Sequence, residues 1–154
     1  MIEKQKTHVE TILLVEDEED HARLIMKTLQ EKVKLLNPIH WVKNGEEALA
    51  YLTKTGAYHE ENAPTPGLIL LDVKLPLKNG FDVLQAIKSD SRYKTIPVVM
   101  LTTSSQTDDI QKALELGAND YIIKPIQFRD FVDKIGSLGH YWICISNSQS
   151  GHFG

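Results

Sequence analysis

The stretch Leu68-Ile69-Leu70-Leu71-Asp72-Val73-Lys74-Leu75-Pro76 decides the fold. A short unbroken apolar run has no polar face to turn to water, so it suits a strand covered on both sides, as in a parallel sheet. Asp72 ends that run and Pro76 follows it. The carboxylate then lies at the carboxyl end of a buried strand, the edge at which open α/β sheets bind their ligands.

Working outward, Thr11-Ile12-Leu13-Leu14-Val15 is a second such run, and it ends in Glu16-Asp17-Glu18-Glu19-Asp20. Pro38–Val42, Ile96–Leu101 and Asp120–Ile123 give three more short strands. Between them the apolar spacing changes to that of helices. Ala22, Ile25, Met26 and Leu29 line the first, with acids at its start that complement the helix dipole. Asn44 is placed to cap a second, with Ala48, Leu49 and Leu52 inward. Phe81, Val83, Leu84 and Ile87 line the third, after the turn-forming Lys78-Asn79-Gly80. Ile110, Ala113 and Leu114 mark the fourth, stopped at Gly117, and Phe128, Phe131, Val132 and Ile135 the fifth. Thr55–Gly67 reads as a long surface loop. Strands alternating with helices at this spacing predict an α/β fold: a flavodoxin-like (βα)5, doubly wound parallel sheet with right-handed crossovers and strand order 2-1-3-4-5.

Composition sets the outer bounds. The 154 residues are 42% hydrophobic and 25% charged, which suits one soluble domain, placed at residues 1–145 with a polar, disordered tail over 146–154. A net charge of -4 offers no basic face to nucleic acid or anionic lipid. Met1–Thr11 lacks the apolar core of a signal peptide, and no run reaches membrane-spanning length. The lone Cys144 fits a reducing compartment, so a cytoplasmic protein is expected.

In the predicted strand order the ends of strands one and three are neighbours, so Asp17 and Asp72 converge. Clustered carboxylates repel one another unless a cation is present. Hard oxygen ligands, with a backbone carbonyl from Lys74, suit Mg²⁺. Lys124 adds a compact cation and Thr102 a hydroxyl donor. The inventory fits a phosphoryl ligand: Asp72 as a carboxylate nucleophile giving an aspartyl phosphate, Lys124 neutralising an oxygen, and Thr102 donating to the transferred group. A carboxylate is ionised at neutral pH and needs no general base.

These residues resemble the receiver domain of bacterial two-component response regulators. The matching features are Glu16-Asp17, Asp72 with Pro76, Thr102, and Tyr121-x-x-Lys124-Pro125, in that order, over residues 10–140. Each is weak alone; the ordered set is specific. The loop before Leu68, the wording Leu101-Thr102-Thr103-Ser104 and the Tyr141-Trp142 tail look most like the stand-alone regulators paired with cyanobacterial phytochromes. The resemblance implies a phosphoryl-accepting switch, not a metabolic enzyme, whose donor is a histidine kinase of the light-sensing phytochrome kind. It further implies a downstream partner protein, a Thr102–Tyr121 switch and a cis Lys124–Pro125 bond.

Two residues depart from the common pattern. Glu16 stands where many members have Asp, and is expected to bind the metal through water. Thr103 is bulkier than the usual small neighbour of the switch threonine, and is expected to slow dephosphorylation. For Glu18, Glu19 and Asp20 the dipole suffices as an explanation, Ser104 or Ser105 is expected to cap the fourth helix, and the six histidines show no metal-ligand spacing. His140–Ile145 is apolar enough to finish the core or to cover a second copy; a homodimer through this tail and the last elements is expected. Other functions fit less well. A phosphorelay intermediate would share the site. A flavodoxin-like electron carrier would need a hydroxyl- and glycine-rich phosphate loop where this chain has five acids. A Mg²⁺-dependent phosphatase with an Asp nucleophile would need an acid where Lys74 stands.

Overall fold

A computed structural model of the chain describes residues 10–103 and 107–137. The apolar runs form strands β1 (Ile12–Val15), β3 (Leu68–Asp72) and β4 (Val98–Thr102), each buried at every position. They are flanked by β2 (Ile39–Val42) and β5 (Asp120–Ile123), which are only partly covered because they are the edges. All four pairings are parallel and the order is β2-β1-β3-β4-β5, as expected from the sequence.

Side chains alternate across each strand, so the sheet feeds two cores. Leu13, Leu71 and Met100 pack with Ala48 and Leu52 of α2 (Gly45–Thr53), Leu84 and Ile87 of α3 (Gly80–Ser89) and Ala113 of α4 (Thr107–Glu115). Leu14, Leu70 and Leu101 pack with Ala22 and Ile25 of α1 (Glu19–Lys27) and Phe131 and Ile135 of α5 (Phe128–Ser137). Asn44 and Asn79 each accept the backbone N–H three residues on, closing the first turns of α2 and α3. Such a cap contributes about 1 kcal/mol.

Several details differ from the sequence reading. The first helix widens into a π-helical turn over Thr28–Lys32, where the Val33 N–H reaches back to the Thr28 carbonyl. That turn still delivers Leu29 and Val33 to the core. Leu114 is 45% exposed rather than inward, because α4 rests on the sheet through the small Ala113. The Thr55–Gly67 connection is partly interior: Ala63 is buried and the Tyr51 hydroxyl donates 2.8 Å to the Pro64 carbonyl. Tyr51, which the sequence reading does not name, stands three residues after Ala48 on the same helix face and is among the largest fully buried side chains. Asn79, expected only to turn the chain, caps a helix. The capping role expected for Ser104 or Ser105, and everything expected of the tail from His140 on, lies outside the described residues. Among the described residues no helix is long and apolar enough to cross a membrane.

Candidate functional site

Parallel strands put all their carboxyl ends on one edge, and there the polar strand-end residues meet. The Lys124 side chain, from the residue after β5, crosses the end of β4. Its Nζ donates 2.8 Å to Glu16 Oε1 and 3.3 Å to Asp72 Oδ2. The lysine side chain is 9% exposed and that of Glu16 is 0%. The second Glu16 oxygen accepts the Glu18 N–H at 3.1 Å. Asp72 is 5% exposed, and its Oδ1 accepts the Lys74 N–H at 3.4 Å. Asp17 is exposed, at the mouth.

Charge in this group is unbalanced. Glu16, Asp17 and Asp72 each place a carboxylate oxygen within 4.8 Å of the other two, and Lys124 is the cation bonded to Glu16 and Asp72. Burial pushes the Asp72 carboxyl up to about 6, against the opposing charge of Lys124 and with the help of Glu16. Asp17 is raised as well, by the burial it has and by Glu16. For Lys124, burial works against its charge, but the Glu16 hydrogen bond and the Asp72 charge outweigh it and the ammonium is held more firmly. Three crowded hard-oxygen ligands with too little positive charge are a fitting seat for a small divalent cation.

A cleft of about 360 Å³ opens above this group, walled by Asp17, Asp72, Lys74, Thr102, Thr103 and Lys124. Thr102 is buried at the end of β4 and its carbonyl accepts the Lys124 N–H at 2.7 Å. Thr103, by contrast, is exposed at the rim. Tyr121 pairs in register with Met100, which puts it on the same sheet face as Thr102. Its half-buried ring carries the Lys134 ammonium 3.8 Å from the centroid, and that ammonium also donates 3.2 Å to Asp120. The Lys124–Pro125 bond is cis.

Some contributors carried no signal that strand-end reasoning could read. His21 walls the cleft, with Nδ1 3.9 Å from Glu16 Oε2. It stands one helical turn after Asp17, a spacing that would have found it once Asp17 was taken as a ligand. Gly80 lies under Asp72: a Cβ there would sit 2.2 Å from the Asp72 carbonyl oxygen. Trp41, from β2, donates its indole N–H 2.7 Å to the Glu16 carbonyl.

Comparison with known proteins agrees with this geometry. The chain matches the response regulator receiver domain over residues 12–136. It is 40% identical to a probable methanogenesis regulatory protein, FilR2, of Methanothrix harundinacea, over 86% of this chain and 83% of that one. Identity to the response regulator Rcp1 of Synechocystis sp. is 38%, over 86% of this chain and 88% of the relative. The solved bacteriophytochrome response regulator AtBRR superposes with a TM-score of 0.81 at 40% identity, covering 91% of this chain and 99% of that one. Rcp1 itself has been solved in a Mn²⁺-bound form, at a TM-score of 0.69 and 37% identity over 87% of this chain and 94% of that one. Receiver domains of this kind take a divalent metal at an acidic pocket and a phosphoryl group from histidine kinases. The chain belongs to the response regulator receiver domain family and is a phosphoryl-accepting regulator of two-component signalling.

Proposed function

We propose that Asp72 is the phosphoacceptor. The observation that carries this is the clamp of Lys124 between Glu16 and Asp72 beside the exposed Asp17, because it gathers a nucleophile, a cation and a hard-oxygen seat at one cleft. An Asp72 carboxylate oxygen forms a bond to phosphorus as the phosphorus–nitrogen bond to the donor histidine breaks; the donor ring carries a proton on its other nitrogen, so the bonding pair returns to the ring and the imidazole leaves neutral. Although its proton affinity is raised, Asp72 is still ionised at pH 7 and above, so no base is needed.

Asp17, Asp72 and the Lys74 carbonyl would hold Mg²⁺, with Glu16 reached through water. That assignment is supported by the fact that both Glu16 oxygens already accept hydrogen bonds. When bound, the ion neutralises charge on the transferred phosphoryl oxygens. Lys124 neutralises a further oxygen, and Thr102 donates its hydroxyl to the group once it has arrived. Thr102 and Tyr121 form the switch: as the hydroxyl moves in, the ring on the same sheet face follows it inward and leaves Lys134. The domain's own catalysis is limited to gaining and losing this group.

The donor we infer is a histidine kinase of the phytochrome kind, supported by the likeness to AtBRR. We place the protein in the cytoplasm, signalling through a downstream protein rather than nucleic acid or membrane. Ile123 and Leu114, exposed near the β5 edge, support a homodimer through the last elements and tail. Sedimentation of a chain cut after Gly139 tests the tail's share, and an unchanged mass would refute it. The phosphoacceptor role is tested by labelling with acetyl phosphate. Incorporation should need Mg²⁺, stop near one group per chain, and vanish in Asp72→Asn. Continued turnover without a labelled protein would instead mark a phosphatase.

A further inference from the structure

The peptide joining Glu16 to Asp17 is held by an indole from the outermost strand, and the chemistry described above makes no use of it. Asp17 is exposed, and its carboxylate faces two like charges whose oxygens lie within 4.8 Å. Repulsion of that kind drives an exposed acid out toward water. Such a side chain stays aimed into the cluster only if its backbone is fixed, since metal ligation tolerates errors of about 0.2 Å.

Three contacts fix it. The Glu16 N–H donates 3.1 Å to the Val42 carbonyl, continuing the β1–β2 ladder. The Glu18 N–H donates to the Glu16 carboxylate at 3.1 Å. The third is Trp41, whose Nε1–H donates 2.7 Å to the Glu16 carbonyl across 25 positions of sequence. That carbonyl belongs to the same peptide plane as the Asp17 N–H, so the bond sets the angle at which Asp17 leaves the chain. The ring is only half-buried and packs beside the α1–α5 core, with the Lys43 ammonium 5.5 Å from its centroid. Water can satisfy an indole N–H at that exposure, so the bond to Glu16 is not forced by burial.

We propose that Trp41 is a positioning residue for the divalent-metal site: its indole N–H fixes the Glu16–Asp17 peptide and so keeps the Asp17 carboxylate aimed at the metal. The proposal rests on the reading of Asp17 as a metal ligand. Residues that orient metal ligands are worth about 10- to 100-fold in affinity, and a single neutral bond acting through one peptide belongs at the low end.

Two variants of the full chain separate aim from packing. Trp41→Phe keeps an aromatic ring without the donor. Benzothienylalanine introduced at position 41 keeps the bicyclic shape, with sulfur in place of N–H. Mg²⁺ binding is read by calorimetry, and thermal melting is read in EDTA. Both variants should raise the Mg²⁺ dissociation constant about tenfold, while their metal-free melting points fall by less than about 5 °C. In the unaltered protein the Trp41 Nε1–H resonance should shift as Mg²⁺ is added. Unchanged affinity in the benzothienyl protein overturns the proposal, as does a loss seen in Phe alone, which would be packing. If the unaltered protein binds no Mg²⁺, the reading of Asp17 falls and takes this one with it.

Discussion

Removing the charge of the proposed phosphoacceptor should make the metal-free protein more stable. Asp72 has its carboxyl pushed from the ordinary 3.8 up to about 6, chiefly by burial and then by Glu16, against Lys124. The folded state therefore binds this proton more tightly than the unfolded state. Stability from that preference is present below about pH 4 and is lost as the pH rises through 6. Above that, the ionised side chain is a burden on the fold. A shift from 3.8 to about 6 is roughly two units, and at about 1.36 kcal/mol each the burden is at most about 3 kcal/mol. An asparagine amide in its place would carry no charge and could still accept from Lys124, which keeps its 2.8 Å contact with Glu16. Asp72→Asn should thus gain about 1–3 kcal/mol at pH 8 in EDTA, or roughly 2–10 °C in melting temperature. The gain should shrink toward zero by pH 4. Excess Mg²⁺ should stabilise the unaltered protein more than the variant, because the former faces the ion with one more carboxylate than the Glu16 and Asp17 that the variant keeps. Urea unfolding at pH 8 and pH 4, each in EDTA, measures the first two statements. A variant no more stable at pH 8, or a gain that persists unchanged at pH 4, would refute the reasoning.

Other substitutions probe the rest of the site. Lys124→Met should cost about 3–5 kcal/mol by chemical denaturation, because it leaves the buried Glu16 and Asp72 carboxylates without their cation. The same change should abolish acetyl phosphate labelling. Thr103→Ala removes bulk from the cleft rim, and phosphate release should quicken by several-fold; an unchanged time course rejects a gating role for Thr103. Gly80→Ala sets a methyl group 2.2 Å from the Asp72 carbonyl oxygen. It should destabilise the protein by about 1–3 kcal/mol, and it should slow labelling beyond what the stability loss explains, measured by comparing both quantities at one temperature.

Sequence reasoning reached the sheet and the strand-end residues for one reason: burial on both faces leaves a run of apolar letters that ends where the polar edge begins. Asp72, Thr102 and Lys124 are found by that rule alone. Residues that act sideways are not. Trp41 reaches the end of β1 from a neighbouring strand 25 positions away, and no periodicity encodes such a reach. Gly80 matters through the absence of a side chain beneath Asp72, and in the sequence it looks like any turn glycine. Leu114 failed in the opposite direction, since helical spacing put it inward. The helix instead sits on Ala113, and how deep a helix packs depends on partner side chains that its own spacing does not reveal.

The longer acid at position 16 also has a use that its letter does not suggest. Lys124 is already doubly paired before any phosphoryl group arrives, at 2.8 Å to Glu16 and 3.3 Å to Asp72. Phosphorylation would turn the Asp72 carboxylate into a more highly charged acyl phosphate, and the lysine would have to follow that charge. It can do so by exchanging its longer contact for a phosphoryl oxygen while the shorter one stays in place. Glu16, fully buried and anchored at its other oxygen by the Glu18 N–H, is then the fixed end of the lever. An Asp would be one methylene shorter and would have to choose between that anchor and the lysine. On this view the acid after β1 holds the lysine, Asp17 faces the ion, and the two neighbouring carboxylates divide tasks that their adjacency in sequence makes look alike.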